Sequence, residues 1–334
     1  MERTMPAVVV RKTDDPGGWN ALELDQVPIP EPQPGEVLVQ VEAFSVNRAD
    51  LLQRRGLYPP PPGASPILGL DLAGYVIRRG SEDLPWHEGD RVFGITAGGG
   101  YARYAAVKAD HLMPVPENLS FVEAAAAAEV FVVAYTNIFE EASAQEGETL
   151  LVHGGGSGVG TAAIQLAKAC ALAVATTCGS ESKAERCRAL GADLVINRTR
   201  EDFADAVLSW TDGRGVDVIL DFVGAPYVEK HLKILAPQGR LVLIGLMGGH
   251  QASFSLAPVL TQRIRIIGSV LRSRSDAEKA ALIARCRANL LPLLEKGVVR
   301  PVVDTIFAVS DVEAAHLYVR EGKHFGKVVV RWKE

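Results

Sequence analysis

The strongest chemical signal in this chain is one glycine-rich turn. The segment Thr149-Leu-Leu-Val-His153-Gly-Gly-Gly-Ser-Gly-Val-Gly160-Thr-Ala-Ala-Ile-Gln-Leu-Ala167 runs from a short apolar stretch through the turn into an amphipathic helix. Val159, Ala163, Leu166 and Cys170 recur at helical spacing. Gly155, Gly156, Gly158 and Gly160 would let backbone approach a diphosphate closely, and the helix N-terminus offers free N–H groups and partial positive charge. Gly155 and Gly160 hold the first and third places of a GxGxxG pattern, while Ser157 holds the middle one. A serine there adds a hydroxyl donor at some cost in room. A turn like this also serves as a plain strand-to-helix connection, so its surroundings must decide.

Those surroundings are strands alternating with helices. Ala171–Thr177, Asp193–Ile196, Val216–Asp221, Gly239–Gly245 and Arg263–Gly268 read as strands, several nearly continuous in Val, Ile and Leu, and Ala184–Leu190 reads as a helix. Buried strands separated by helices predict a doubly wound parallel sheet, a Rossmann dinucleotide domain of α/β class. The second strand ends Thr176-Thr-Cys-Gly-Ser180, with no acidic residue to hold a ribose 2′-hydroxyl. Gly179, Ser180, Lys183 and Arg198 stand there instead, a set suited to a 2′-phosphate, and the expected cofactor is NADPH. Lys183 could equally belong to a solvated helix face with Glu181 and Glu185.

Composition bounds the alternatives. The chain has 334 residues, 48% hydrophobic and 22% charged, which suits about two globular domains. A net charge of −5 without a Lys/Arg block gives no reason to expect nucleic acid. Cys170, Cys178, Cys187 and Cys286 form no CxxC pair, and none of the seven histidines forms an HxxH or HxxxH pair. The expectation is a reducing cytoplasm, no metal and no membrane association, since no segment is read as approaching transmembrane length.

Residues 1–126 read differently from the middle of the chain. Pro6–Arg11, Glu36–Glu42 and Arg91–Gly94 are short strands between Gly and Pro clusters, predicting a compact β-rich domain. Phe121–Phe139 should be a helix leading into a nucleotide domain of residues 127–271. A helix from Asp276 to Lys296 and strands at Asp304–Phe307 and Gly326–Val330 then return residues 272–334 to the first domain.

At this point the chain resembles the medium-chain dehydrogenases/reductases, and within them the zinc-independent quinone oxidoreductases, close to the p53-inducible and zeta-crystallin-like members. The likeness rests on Ser45-Val-Asn-Arg-Ala-Asp-Leu-Leu-Gln-Arg-Arg-Gly-Leu-Tyr58, Leu68–Gly74, His153–Gly160, Leu220–Gly224, Gly245-Leu-Met-Gly-Gly249 and Leu271-Arg-Ser-Arg274. It implies a GroES-like catalytic domain with the Rossmann domain inserted, and a homodimer joined through the strands around Arg263–Val270. Zinc alcohol dehydrogenases place a Cys where this chain has Asn47 and a His where it has Leu70. Glu129 falls near the third ligand position, but a carboxylate beside an amide and a leucine does not hold zinc.

Without a Lewis acid, hydride transfer favours acceptors that delocalise the resulting charge: quinones first, enones next. The resemblance puts Asn47 and Tyr58 in a quinone pocket. Tyr58 could instead cap the small domain, and Asn47 could simply tie down a turn. Asp50 is expected to hold its segment by hydrogen bonds rather than act as an acid. Val223, Gly245, Leu246, Met247, Leu271, Gly326 and Lys327 are implied cofactor-site positions. Val133 stands where relatives carry a Thr, and Gly154 replaces an alanine with little expected effect. The expected function is reduction of ortho-quinone-type or other conjugated carbonyl molecules by NADPH. The alternatives are an enone or enoyl reductase, and a non-catalytic, crystallin-like NADPH-binding protein.

Overall fold

The computed structural model describes residues 3–332. The chain divides into two compact units: residues up to Val132 together with those from Arg272 onward, and Val133–Leu271. The first part of the chain supplies β1 (Thr4–Arg11), β2 (Ala21–Pro28), β3 (Glu36–Ser45), α1 (Arg48–Arg54), β4 (Asp71–Arg79), β5 (Arg91–Ile95), β6 (Tyr104–Lys108), β7 (Leu112–Pro114) and α2 (Phe121–Tyr135). Ser120 and Glu123 close a reciprocal cap at the start of α2, with Glu123 N–H donating to Ser120 Oγ at 3.2 Å and Ser120 N–H to Glu123 Oε2 at 3.0 Å.

The helix continues as a π-type turn over Thr136–Glu141. Helix and turn together make 21 residues, within which an 18-residue window has a mean hydropathy of 1.4. That corrects the expectation that no segment approaches transmembrane length. Of that window 78% is buried inside the protein, because an alanine-rich helix that is apolar on every side belongs in a core.

The second unit contains β8 (Thr149–Val152), α3 (Gly158–Ala169), β9 (Ala173–Cys178), α4 (Glu181–Ala189), β10 (Leu194–Asn197), α5 (Phe203–Trp210), β11 (Val216–Asp221), α6 (Val228–Ile234), β12 (Leu235–Leu243), α7 (Ala257–Thr261) and β13 (Arg265–Gly268). All pairings are parallel, in the order β10-β9-β8-β11-β12-β13. This is the Rossmann order, whose direction reverses between β8 and β11. Two strands start later than expected, at Ala173 rather than Ala171 and at Arg265 rather than Arg263. Ala171 and Arg263 both have φ of 57°, a left-handed conformation that no strand accommodates. Helix α4 starts earlier than expected because Ser180 caps it.

The chain then supplies α8 (Asp276–Asn289), α9 (Leu291–Glu295), β14 (Val303–Ala308), α10 (Val312–Arg320) and β15 (Lys327–Arg331). The single helix expected over 276–296 is two. Pro292 lacks the N–H that would continue the ladder and its ring crowds the preceding turn, so the helix breaks at Leu290. In the first unit β15 pairs antiparallel with β3, and the sheet runs β14-β15-β3-β4-β5-β7 with β6 also on β3. Its core includes Val37, Val39, Val41, Phe44, Leu68, Leu72, Val328 and Val330. The architecture is thus a GroES-like β unit and a Rossmann α/β unit.

Candidate active site

The glycine turn lies at the carboxyl end of β8, beside the point where strand order reverses. Ser157 caps α3, its Oγ accepting from Gly160 N–H at 3.0 Å. The first N–H groups of the helix, at Gly158 and Val159, have no acceptor within α3. A Cβ at Gly155 would stand 2.9 Å from Cys187 Sγ, and one at Gly160 2.8 Å from Gly155 Cα. The turn therefore packs without room for side chains, as a diphosphate cradle requires. Gly154 is not the neutral change expected: its φ is 65°, and a Cβ would strike the Phe222 ring.

The neighbouring strand ends carry the other expected positions. A Cβ on Gly179 would come within 3.3 Å of the Arg198 guanidinium, so that group lies over the backbone at the end of β9. Ser180 Oγ accepts from Lys183 N–H at 3.4 Å, which places Lys183 in the first turn of α4. Gly179, Ser180, Lys183 and Arg198 thus come together. Residues Arg198–Phe203, Tyr227 and Lys230 line an adjoining open hollow of about 320 Å³. At the end of β11, Asp221 accepts from the Val223 and Gly224 N–H groups, each at 2.8 Å. Burial holds its carboxyl up at about 6. Met247 N–H donates to Phe222 O and Gly248 N–H to Val223 O, tying the Gly245–Gly249 loop to the Val223 loop. Leu246 and Met247 nevertheless stay 51% and 55% exposed. Two large apolar side chains held out on a braced loop suit contact with a flat ring. Leu271 is half-buried at the end of this unit.

Periodicity missed one polar group here. His153 Nε2 lies 2.8 Å from His231 Nε2, and His153 Nδ1 is 3.1 Å from Thr177 Oγ1. With Asp221 the pair forms a buried set whose ligand atoms lie within 4.8 Å of one another. The contact is a hydrogen bond between neutral rings, since burial pushes both histidines down, His231 to about 3. Two nitrogens on one zinc at ~2.0–2.1 Å would stand farther apart, at roughly 3.3 Å. Both Asp221 oxygens are also committed to backbone. The residues do not fit a resident ion.

In the first unit, Asn47 is 6% exposed, and its amide is bound on both sides. Asn47 Nδ2 donates to Asp71 Oδ2 at 2.7 Å, and Lys327 Nζ donates to Asn47 Oδ1 at 2.6 Å. Lys327 also reaches Val46 O at 3.2 Å and lies 4.0 Å from Asp71. Asp71 accepts from Ser45 N–H at 2.7 Å and from the Ser45 hydroxyl. Asp50 accepts from Asn47 N–H at 2.8 Å, Gly69 N–H at 3.1 Å and Tyr101 Oη at 3.2 Å, the segment-holding role expected of it. Asn47 and Lys327 therefore occur in one buried network. Gly326 precedes Lys327 against Val302, with φ of 90°.

Tyr58 is half-buried under Arg272, whose guanidinium sits 5.1 Å from the ring centroid. Arg272 is fixed by Gln53 Oε1 and Ala97 O, both at 2.7 Å. Burial raises the Tyr58 hydroxyl above its ordinary range, so it stays a donor at neutral pH. Burial also raises Glu129 to about 7, opposed by Lys327 and reinforced by Asp71 and Asp50. Lys327, Asp71, Asp50 and Glu129 lie far apart in sequence, and no spacing rule joins them.

Comparison with known proteins agrees with this geometry. Residues 33–117 match the alcohol dehydrogenase GroES-like domain family, and residues 158–285 match the zinc-binding dehydrogenase family. The chain is 32% identical over 319 residues to the quinone oxidoreductase of Mus musculus, covering 94% of this chain and 95% of that one. It is also 32% identical over 328 residues, 97% of its length, to a phenolphthiocerol/phthiocerol polyketide synthase of Mycobacterium tuberculosis, of which it spans 15%. A mycobacterial protein solved in complex with NADPH superposes with a TM-score of 0.86 at 27% identity, covering 98% of this chain and 99% of that one. The chain belongs to the medium-chain dehydrogenase/reductase superfamily, as an NAD(P)-dependent oxidoreductase.

Proposed function

We propose that this protein is a zinc-independent NADPH:quinone oxidoreductase, acting on ortho-quinone-type and related conjugated acceptors. The observation that carries the reading is the state of Asn47. Where zinc relatives present a thiolate, this chain presents an amide bound on one side by Lys327 and on the other by Asp71. An amide so bound does not supply the thiolate that zinc relatives use, and an acceptor that delocalises its own charge suits such a site. NADPH supplies the hydride when bound. Gly155–Gly160 would receive its diphosphate, and Ser180, Lys183 and Arg198 its 2′-phosphate. Val223, Gly245, Leu246, Met247 and Leu271 would border the nicotinamide, and Gly326 and Lys327 are proposed as cofactor positions of the first unit. Tyr58 would stack on the flat acceptor and hold its oxygen by a hydrogen bond.

The reading assigns catalysis to residues 1–126 and 272–334 and cofactor binding to 127–271. It also assigns a cytoplasmic homodimer, paired through β13. Ile266 and Val270, 41% and 50% exposed, lie on and just after that edge strand, which a second copy would cover. The test is NADPH consumption with an ortho-quinone beside an alkenal. Faster quinone turnover is expected. Faster alkenal turnover would favour an enone reductase, and tight NADPH binding without either turnover would favour the non-catalytic reading.

A further inference from the structure

We propose that Arg272 supplies the positive charge that stabilises the anion formed on the acceptor, acting through the hydroxyl of Tyr58. The inference rests on the conjugated-acceptor reading and deepens it. Hydride addition to a quinone or enone oxidises NADPH to NADP+ and leaves an electron pair on the acceptor oxygen. That oxygen or, for an enolate, its α-carbon then takes a proton from solvent. Until it does, the site must carry a negative charge.

Among the described residues three arginines are buried: Arg54, Arg240 and Arg272. Arg54 is paired with Glu313, and Arg240 with Glu148 at 2.6 Å. Arg272, 6% exposed, has only neutral partners. Its Nε donates to Ala97 O at 3.0 Å, its Nη2 to Ala97 O and Gln53 Oε1, both at 2.7 Å, and its Nη1 to Tyr58 O at 3.4 Å. Gln53 Nε2 donates to Pro66 O at 3.1 Å, which turns the amide oxygen toward the guanidinium. Of the five guanidinium N–H groups, one on Nη1 finds no acceptor among the described residues. Asp50 acts on the cation only at longer range. A buried charge without a counter-ion is costly, so its place matters. It lies 5.1 Å from the centre of the Tyr58 ring, and the Tyr58 hydroxyl donates to no described residue. A cation over the ring favours negative charge at the phenol oxygen, making the hydroxyl a stronger donor to an anion. Burial raises the Tyr58 hydroxyl, and Arg272 opposes that rise. Arg272 is therefore a positioning residue whose charge is felt through Tyr58.

The test reads anion binding apart from turnover. The whole protein with saturating NADP+ is titrated with 4-nitrophenol, whose anion is yellow, and with nitrobenzene as the neutral analogue. Bound to wild type, 4-nitrophenol should stay anionic about one pH unit or more below its midpoint in solution. Arg272→Gln keeps an amide to donate to Ala97 O but removes the charge. It should lower the ratio of nitrophenolate to nitrobenzene affinity about ten- to a hundredfold. Arg272→Lys keeps the charge without the fork and should hold that ratio within about threefold of wild type. In a Tyr58→Phe background the Arg272→Gln exchange should change the ratio by about twofold at most, because the hydroxyl that transmits the charge is gone. With NADPH and an ortho-quinone, Arg272→Gln should lower kcat about tenfold or more and leave the NADPH Kd unchanged. Preference of the wild type for the neutral phenol overturns the proposal without any variant. So does an equal loss in the Gln and Lys variants, which would make the shape of the fork responsible, or a full response in Tyr58→Phe. Unchanged kcat in Arg272→Gln overturns it as well. A wild type that reduces neither an ortho-quinone nor an alkenal refutes the underlying functional reading instead, and with it the part of Arg272 in turnover, whatever the phenolate shows.

Discussion

Replacing Gly160 with alanine tests the cofactor cradle most directly. A Cβ there would meet the Gly154 carbonyl oxygen and lie 2.8 Å from Gly155 Cα and 2.9 Å from Gly155 C. Ordinary contact begins near 3.4 Å. The turn must therefore open by roughly 0.6 Å or more against backbone rather than a flexible side chain. Overpacking of this kind costs about 1–3 kcal/mol, offset by up to ~1 kcal/mol because position 160 lies within α3 and alanine favours helix. Net destabilisation of about 0–3 kcal/mol should lower Tm by only several degrees. Binding should suffer more. Moving the turn misaligns the Gly158 and Val159 N–H groups, and charge-assisted hydrogen bonds are worth about 1.5–3 kcal/mol each. Losing one weakens NADPH about ten- to a hundredfold. Fluorescence titration with NADPH gives Kd, and a circular-dichroism melt reports the fold. A folded variant binding NADPH within about twofold of wild type would refute the assignment of this turn.

Other outcomes follow from the same geometry. Lys183→Ala and Arg198→Ala should each weaken NADPH about ten- to a hundredfold while leaving NADH nearly unchanged, because only NADPH carries the 2′-phosphate. Steady-state kinetics with both nucleotides checks this, and a retained NADPH preference in both variants refutes it. Tyr58→Ala should lower quinone turnover by an amount equivalent to about 1–3 kcal/mol with the NADPH Kd held within about twofold. Equal losses in both would move Tyr58 to the cofactor site or the fold. Chelation should leave activity intact and metal analysis should find no stoichiometric zinc; activity lost with zinc and restored by it would overturn the metal-free site. Ile266→Lys places a charge on the β13 edge and should yield monomers in sedimentation, whereas an unchanged dimer would place the interface elsewhere.

The sequence by itself determined the α/β class and the alternation of buried strands and helices that builds the Rossmann sheet. Hydrophobic periodicity is a local property, and runs such as Val216–Asp221 can be buried only in a covered parallel sheet. The glycine turn was legible for the same reason, since its conformational demand is met within a few residues. Where local reading erred, a backbone constraint was hidden from composition. Ala171 and Arg263 adopt left-handed φ without being glycine. Pro292 breaks a helix whose apolar pattern runs on. The α2 stretch has the length and hydropathy of a membrane span, and only its burial inside the protein shows what that hydropathy is for.

The tertiary structure alone decided the polar chemistry. Antiparallel pairing of β15 with β3 brings Lys327 to Asn47, across 280 residues of chain. The packing of β4 beside β3 then adds Asp71 to the same pocket. His153 meets His231 because α6 packs near the end of β8. Hydrogen bonds and charge coupling act over a few ångströms of space with no regard for separation along the chain. Asn47, a single amide in the sequence, therefore becomes in the fold the joint between the buried Lys327 ammonium and the carboxylates it must balance.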